Sequence, residues 1–357
     1  MAHPRFLSIS AQVAAYLRGE LGRGRWSGAM PGLKPLAAEL GINEKTAGLA
    51  LRQLEREGVL IPQGLRRKRL IEPAPAAPAA PPSLRLAILP TEESDRRLDY
   101  VIKLQHHLEQ SGHSVIWPQA SLAELRMDVK RVARLVKRTP ADAWVVFAAS
   151  RELLEWFSTQ ALPVLALFGR RRGLPLAGVG PDKVQAYVAA TRALIALGHR
   201  RIVLLARPRR RLPEPGGSEQ AFLDELAAHG IKDDAYHLPH WEDSIADFHE
   251  NLEALFRFTP PTALIIQEVP LFVAAQQFLL HRGIRVPEEV SLVCTDADPN
   301  FDWCRPTVAH MRWDSGPVVR RVVRWAANVS HGRQDLRQTL TPAEFVPGGT
   351  IGPAAQK

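Results

Sequence analysis

Four consecutive cations, Arg66-Arg67-Lys68-Arg69, and a helical segment that opens Asn43-Glu44-Lys45-Thr46 are the residues whose types and spacing point most directly to chemistry. That chemistry is recognition of a polyanion. A helix that enters a DNA major groove presents its N-terminal residues to the base edges. Asn43, Lys45 and Thr46 would supply an amide, a cation and a hydroxyl at that place. Alternation along a strand sends residues 66–69 to two faces, both within reach of phosphate at the tip of a hairpin. Lys34, at the start of the preceding helix, falls near the expected path of the nucleic-acid backbone. The plainer alternative is a small helical domain whose basic hairpin contacts protein.

A second group of residues could hold a small molecule. Asp296 and Glu268 each follow a short apolar run that reads as a buried strand. In open α/β sheets, ligands bind outside the carboxyl ends of the strands. Two carboxylates there would accept hydrogen bonds from hydroxyl or amine groups, favouring a polyhydroxylated or cationic ligand over an anionic one. Other signals are weaker. Gly178-Val179-Gly180 lacks the third glycine and the acidic ribose partner of a dinucleotide fingerprint. His237, His240 and His249 lie close in sequence but read as surface or junction histidines, so no metal site is expected. No GxSxG elbow appears, and no carboxylate spacing singles out a catalytic pair. Neither catalytic residues nor a cofactor are expected.

These groups need elements to position them, and charge and composition divide the chain. It has 357 residues, 46% hydrophobic and 23% charged, which fits two or three globular domains. Of the net charge of +9, residues 1–72 carry +6. A basic terminal module on a nearly neutral body suits nucleic acid or an anionic surface. Residues 73–82 read PAPAAPAAPP, a semi-rigid spacer of roughly 30 Å at about 3.1 Å per residue. No run approaches the roughly 18 apolar residues of a membrane helix. No secretory signal is visible, and Cys294 and Cys304 form no framework, so a cytoplasmic protein without a membrane partner is expected.

Before the spacer, apolar positions Ile9, Val13, Leu17 and Leu21 mark one helix and Leu33 to Leu40 a second. A third, capped by Asn43, carries Ala47, Ala50, Leu51 and Leu54 on one face. Two short strands follow, Val59 to Ile61 and Arg66 to Ile71. The order is that of a winged helix-turn-helix. After the spacer, strands are expected at Leu84–Leu89, Ser114–Trp117, Trp144–Phe147, Val164–Phe168, Ile202–Leu205, Ala263–Ile266 and Val290–Cys294. Another is expected near Tyr236–Leu238. Helices are expected between most of them, including Glu124–Lys137 and Ile245–Phe258. The reading is α/β, with two Rossmann-like subdomains facing a cleft.

The N-terminal segment, residues 8–71, resembles the GntR-type winged helix. Gly41-Ile42-Asn43-Glu44-Lys45-Thr46 and Ala50-Leu51-Arg52-Gln53-Leu54-Glu55-Arg56-Glu57-Gly58-Val59-Leu60 carry the likeness. It departs from that family at Pro31-Gly32-Leu33-Lys34, usually Pro-Ser-Glu-Arg, and at Glu44 and Gly48, usually arginines. The body resembles the effector-binding domain of LacI/GalR-type repressors, which is similar to periplasmic binding proteins. Leu194-Ile195-Ala196-Leu197-Gly198-His199-Arg200-Arg201-Ile202, Pro261-Thr262-Ala263 and Arg282-Gly283-Ile284-Arg285-Val286-Pro287-Glu288-Glu289-Val290 carry that likeness. Gln267-Glu268 stands where that family has Asn-Asp, and Ser218 where it has an arginine. Asp296 is retained and would face the cleft. Trp241 fits where relatives place an aromatic against the ligand.

The resemblances imply three parts: a DNA-binding domain over 1–72, a linker over 73–82 and an effector domain over 83–357. They imply a dimeric transcription regulator that binds operator DNA and responds to a sugar or other polar metabolite held by Trp241, Glu268 and Asp296. Two rivals are an α/β enzyme acting on a sugar or nucleotide with a nucleic-acid-binding appendage, and an interaction protein whose cleft is plugged by its own side chains.

Overall fold

The structure, a computed structural model, describes residues 8–22, 25–26, 28–63, 68–71, 83–232 and 234–355. The chain forms two compact units, Met1–Ala80 and Pro81–Lys357. The spacer at 73–82 lies outside the described residues.

In the first unit, helices α1 (Ile9–Gly22), α2 (Leu33–Glu39) and α3 (Glu44–Arg56) precede strands β1 (Leu60–Ile61) and β2 (Leu70–Ile71). The strands pair antiparallel, Leu60 opposite Ile71. A bridge from Ala29 to Leu70 adds a third extended segment. Ala14, Leu17, Met30, Leu36, Ala50, Leu51, Leu54 and Leu60 close one core. Of the stripe expected on α1, Leu17 is in this core and Val13 and Leu21 pack against it, whereas Ile9 at the helix start is exposed. The Asn43 side chain accepts from the Thr46 backbone N–H at 2.7 Å, fixing where α3 begins.

The second unit starts with β3 (Arg85–Leu89), α4 (Asp99–Gln110), β4 (Ser114–Ile116), α5 (Val129–Arg138), β5 (Ala143–Phe147), α6 (Arg151–Ser158), β6 (Val164–Leu167) and β7 (Ala177–Asp182). Next come α7 (Val184–Ala196), β8 (Ile202–Leu205), α8 (Pro208–Arg211), α9 (Gly217–Ala228), α10 (Asp234–His237) and α11 (Ile245–Phe258). It ends with β9 (Ala263–Ile266), α12 (Val269–His281), β10 (Ser291–Cys294), β11 (Ala309–Trp313), α13 (Ser315–Ser330) and β12 (Gln338–Val346). The strands make one sheet in the order β4-β3-β5-β6-β7-β12-β11-β10-β9-β8. Its pairs are parallel except β11 with β12. Two cores flank β3, β5 and β6 and two flank β8, β9 and β10, so the sheet is divided into two lobes. Strand β12 belongs to both, pairing with β7 through Pro342 and with β11 from Ala343. The fold is α/β and periplasmic-binding-protein-like.

All seven α/β strands from the principal list are present within a residue or two. The strand expected near Tyr236–Leu238 is not: residues 234–237 form the helical turn α10. The helix expected from Glu124 starts only at Val129, because Arg126 and Met127 take positive φ and Asp128 caps the helix. Gly178 and Gly180 lie in β7, where a Cβ at 178 would stand 2.2 Å from the Arg171 Cδ and one at 180 would stand 2.9 Å from Phe168. These glycines make room for two side chains and cradle no phosphate.

His199, at the end of the helix–Gly–His junction, is 1% exposed. One ring nitrogen faces the Gly352 carbonyl at 2.9 Å and the Ser291 hydroxyl at 3.0 Å. Burial holds its pKa below the ordinary value, with the Gly352 carbonyl opposing. The unfolded chain therefore binds the extra proton first. Stability contributed by neutral His199 is fully present above about pH 6.5 and is lost as pH falls from there through the lowered folded value. Denaturation midpoints from pH 7 to 5 should fall less steeply in His199→Gln than in the unsubstituted chain.

Candidate ligand cleft and nucleic-acid interface

On α3, the face opposite the core carries Lys45, Leu49, Arg52 and Arg56, all exposed. They recur at i, i+4, i+7 and i+11, one continuous stripe. Lys34 is exposed on α2 and Thr46 is half-buried beneath the stripe. Asn43 uses its side-chain oxygen on the cap, so its amide donor alone faces outward bonding. In the basic run, Lys68 is exposed, whereas Arg69 is ion-paired with Glu55 of α3. That pair holds the hairpin to the helix and removes Arg69 from the expected phosphate contacts. Arg66 and Arg67 lie outside the described residues. Sequence reasoning overlooked Arg52, which the helical spacing from Lys45 could have located.

In the second unit, the carboxyl ends of the strands of both lobes converge. Glu92 follows β3, Phe168 and Arg170 follow β6, and Lys183 follows β7. From the other lobe, Arg207 follows β8, Glu268 follows β9 and Asp296 follows β10. Asp296 and Glu268 stand where the strand ends were expected to put them. Neither is free. The Lys183 ammonium is paired with Asp296 and donates to the Thr295 carbonyl at 2.8 Å. Arg207 donates through Nε to Glu268 at 2.8 Å, and Arg209 pairs with the same carboxylate. Glu268 has φ +65°, a left-handed conformation that non-glycine residues adopt at a cost of order 1–3 kcal/mol. The expectation that bare carboxylates disfavour an anionic ligand is therefore corrected: two arginines and a lysine already balance them.

Trp241 is placed differently from expectation. It is 5% exposed and packs in the core with Phe248, ring centroids 5.4 Å apart. With α10 replacing the expected strand, the chain enters the core at 241 and offers no free aromatic face there. The apolar wall at the strand ends is a different set. Tyr100, Phe168 and Trp313 are half-buried and mutually edge-on, with centroids 5.5 to 5.9 Å apart. Phe147 packs beneath them. Burial raises the Tyr100 phenol pKa above its ordinary value, and the charges of Asp95, Asp296 and Glu268 add to that. Burial likewise raises the Asp95 carboxyl, although the Glu92 and Thr91 backbone N–H groups donate to it. An aromatic wall from one lobe thus faces carboxylates from both.

The α8 segment deepens the charge pattern. Arg210 pairs with Glu219 at 3.0 Å, and Glu219 is fully buried. Arg211 donates to the Ala206 carbonyl at 3.3 Å and to the Trp241 carbonyl. His240 contacts Arg211, and His237 contacts the Ile202 carbonyl, so each has a local structural partner. Among the described residues no group of three or more His, Cys, Asp or Glu side chains could hold a metal ion. Among them, too, no helix is long and apolar enough to cross a membrane.

Residues 191–351 match the periplasmic binding protein-like domain family. The chain is 31% identical over 194 residues to the HTH-type transcriptional regulator RafR of Escherichia coli. That match covers 53% of this chain and 57% of the relative, so the chain spans little more than half of it. Solved structures share the fold. The transcriptional regulator CelR in complex with cellobiose has a TM-score of 0.61 at 16% identity, covering 90% of this chain and 100% of that one. The lac repressor dimer bound to operator and an anti-inducer has a TM-score of 0.59 at 17% identity, covering 76% of this chain and 94% of that one. A LacI family regulator from Enterococcus faecium with bound ribose has a TM-score of 0.60 at 16% identity, covering 75% and 99%.

Proposed function

We propose that the chain is a DNA-binding transcription regulator of the LacI type in its body, whose affinity for an operator changes when a small polar molecule binds between the two lobes. The observation that carries this reading is the convergence of strand ends from both lobes on one aromatic wall and one carboxylate set. A polyhydroxylated ligand suits it: a flat apolar face against Tyr100, Phe168 and Trp313, hydroxyls toward Asp296 and Glu268. RafR, the lac repressor and CelR are regulators, which favours binding over turnover for a chain of this fold. The cellobiose bound to CelR and the ribose bound to the Enterococcus faecium regulator support a sugar as the first class to test.

The N-terminal unit would be a GntR-type winged helix rather than the helix-turn-helix usual beside such a body. The antiparallel hairpin after α3 supports this, as does the exposed stripe of Lys45, Arg52 and Arg56. Lys34, Lys45, Thr46 and Lys68, with Arg66 and Arg67, would contact DNA. The body would supply a homodimer contact, and the operator would then contain two half-sites related by a dyad. The protein would work in the cytoplasm, where its DNA is.

A thermal-shift screen of the whole chain against mono- and disaccharides tests the cleft. With a ligand identified, Asp296→Asn should weaken its binding by roughly ten-fold or more, the loss of one hydrogen bond to a charged group. Calorimetry reads this directly. Equal affinity in both proteins would remove Asp296 from the site.

A further inference from the structure

Each nitrogen of the Arg207 guanidinium meets a different carboxylate. Nε donates to Glu268 at 2.8 Å, Nη1 to Asp243 at 2.7 Å and Nη2 lies 2.8 Å from Glu92. Glu268 and Asp243 belong to the same lobe as Arg207, whereas Glu92 follows β3 in the other. The arginine side chain is 13% exposed, and Arg209 beside it, 8% exposed, neutralises the same Glu268 and Asp243. A backbone bond adds rigidity: the Arg207 N–H donates to the Gln267 side chain at 2.9 Å. A second contact crosses between the lobes nearby. Arg170, after β6, donates to the Glu214 carbonyl at 2.6 Å and to the Leu212 carbonyl.

We infer that Arg207 is a latch: with Glu92 it holds the two lobes together in the absence of any ligand, and a ligand must compete with that pair to enter. This deepens the reading of the cleft as the ligand site and rests on it. Arg207 is anchored to its own lobe by two carboxylates and to the other by one. The bond to Glu92 is therefore the one that breaks when the lobes separate, and the guanidinium stays in place to receive what enters. A ligand that displaces Glu92 has to bring an acceptor oxygen to Nη2, or that donor is left unpaired at a half-buried site. Arg207 thereby sets specificity as well as closure. Burial alone would lower the pKa of this guanidinium, but Glu268, Asp243 and Glu92 together hold it above the ordinary value, so the latch stays charged.

The test needs no ligand. Glu92→Gln removes the charge from the cross-lobe bond and keeps a side-chain oxygen for the local cap that Glu92 makes at residues 93–97. Hydrogen exchange by mass spectrometry is run on the whole chain at low and high salt. The latch predicts that peptides spanning 91–97 and 207–214 exchange roughly ten-fold or more faster in Glu92→Gln, the loss expected for a charge-assisted bond. It also predicts that salt accelerates these peptides in the unsubstituted chain and has little further effect in the variant. Solution scattering should show a larger radius of gyration for the variant. Equal exchange in the two proteins, or the same salt response in both, overturns the latch and leaves the cleft reading untouched.

Discussion

Replacing Arg66, Arg67 and Lys68 together by alanine is expected to flatten the salt dependence of DNA binding by up to about 2.7 in the log–log slope, at about 0.9 per phosphate contact. Between 50 and 200 mM salt the unsubstituted protein should lose roughly 40-fold more affinity than the variant. The loss should be similar for all sequences, because phosphate contacts position and do not specify. Arg69 is kept, since its pairing with Glu55 ties the hairpin to α3 and its removal would test folding instead. Replacing Lys45 or Arg52 on the exposed stripe should change discrimination between sites more than it changes the slope. Fluorescence anisotropy across a salt series measures both. An unchanged slope in the triple variant would remove the hairpin from the DNA contact.

Arg210→Met is expected to destabilise the second unit by about 3–5 kcal/mol, the cost of leaving one member of a buried ion pair alone. Glu219 has no exposure at all, its Oε1 is 3.0 Å from Arg210, and its Oε2 has no hydrogen-bond partner. The charge of Glu219 is in turn the largest influence holding the Arg210 pKa above its ordinary value. Removing the arginine strands a carboxylate. Removing both charges, as in Arg210→Met with Glu219→Leu, should restore much of the loss, a strongly non-additive pair. Denaturant unfolding of the single and double variants reads the coupling. A single variant as stable as the unsubstituted chain would mean that water or another group satisfies Glu219.

The outer strands of each lobe were legible in the sequence because nearly all are short, mostly apolar runs buried on both faces; β4, Ser114–Ile116, is the exception, with Ser114 exposed. The three strands at the middle of the sheet, β7, β11 and β12, were not. Their sequences, Ala177–Asp182, Ala309–Trp313 and Gln338–Val346, contain glycine, proline and charged residues, and only the pairing across the sheet makes them strands. The same distinction holds for the site. The positions of Asp296 and Glu268 follow from the ends of legible strands. Their partners Lys183, Arg207 and Arg209 lie 59 to 113 residues away, two of them just before helices and Arg209 in the one-turn α8, where no periodic pattern marks them. Trp241 was drawn toward the cleft by a strand that turned out to be α10. The aromatic wall was missed because Tyr100, Phe168 and Trp313 sit on a helix and at two strand ends far apart in sequence.

The proposed function requires a relay between ligand and DNA. A ligand changes DNA affinity only through its different affinity for two states of the protein. A latch between lobes supplies two such states, joined and parted. The measurement that bears on this most directly is the affinity of the whole chain for a genomic site recovered by selection, with and without a sugar that raises its thermal stability. The account predicts a site with two half-sites and a change in affinity of roughly 5- to 150-fold on adding the sugar, the usual range of coupling between linked sites. A sugar that binds the chain and leaves its affinity for that site unchanged would contradict it.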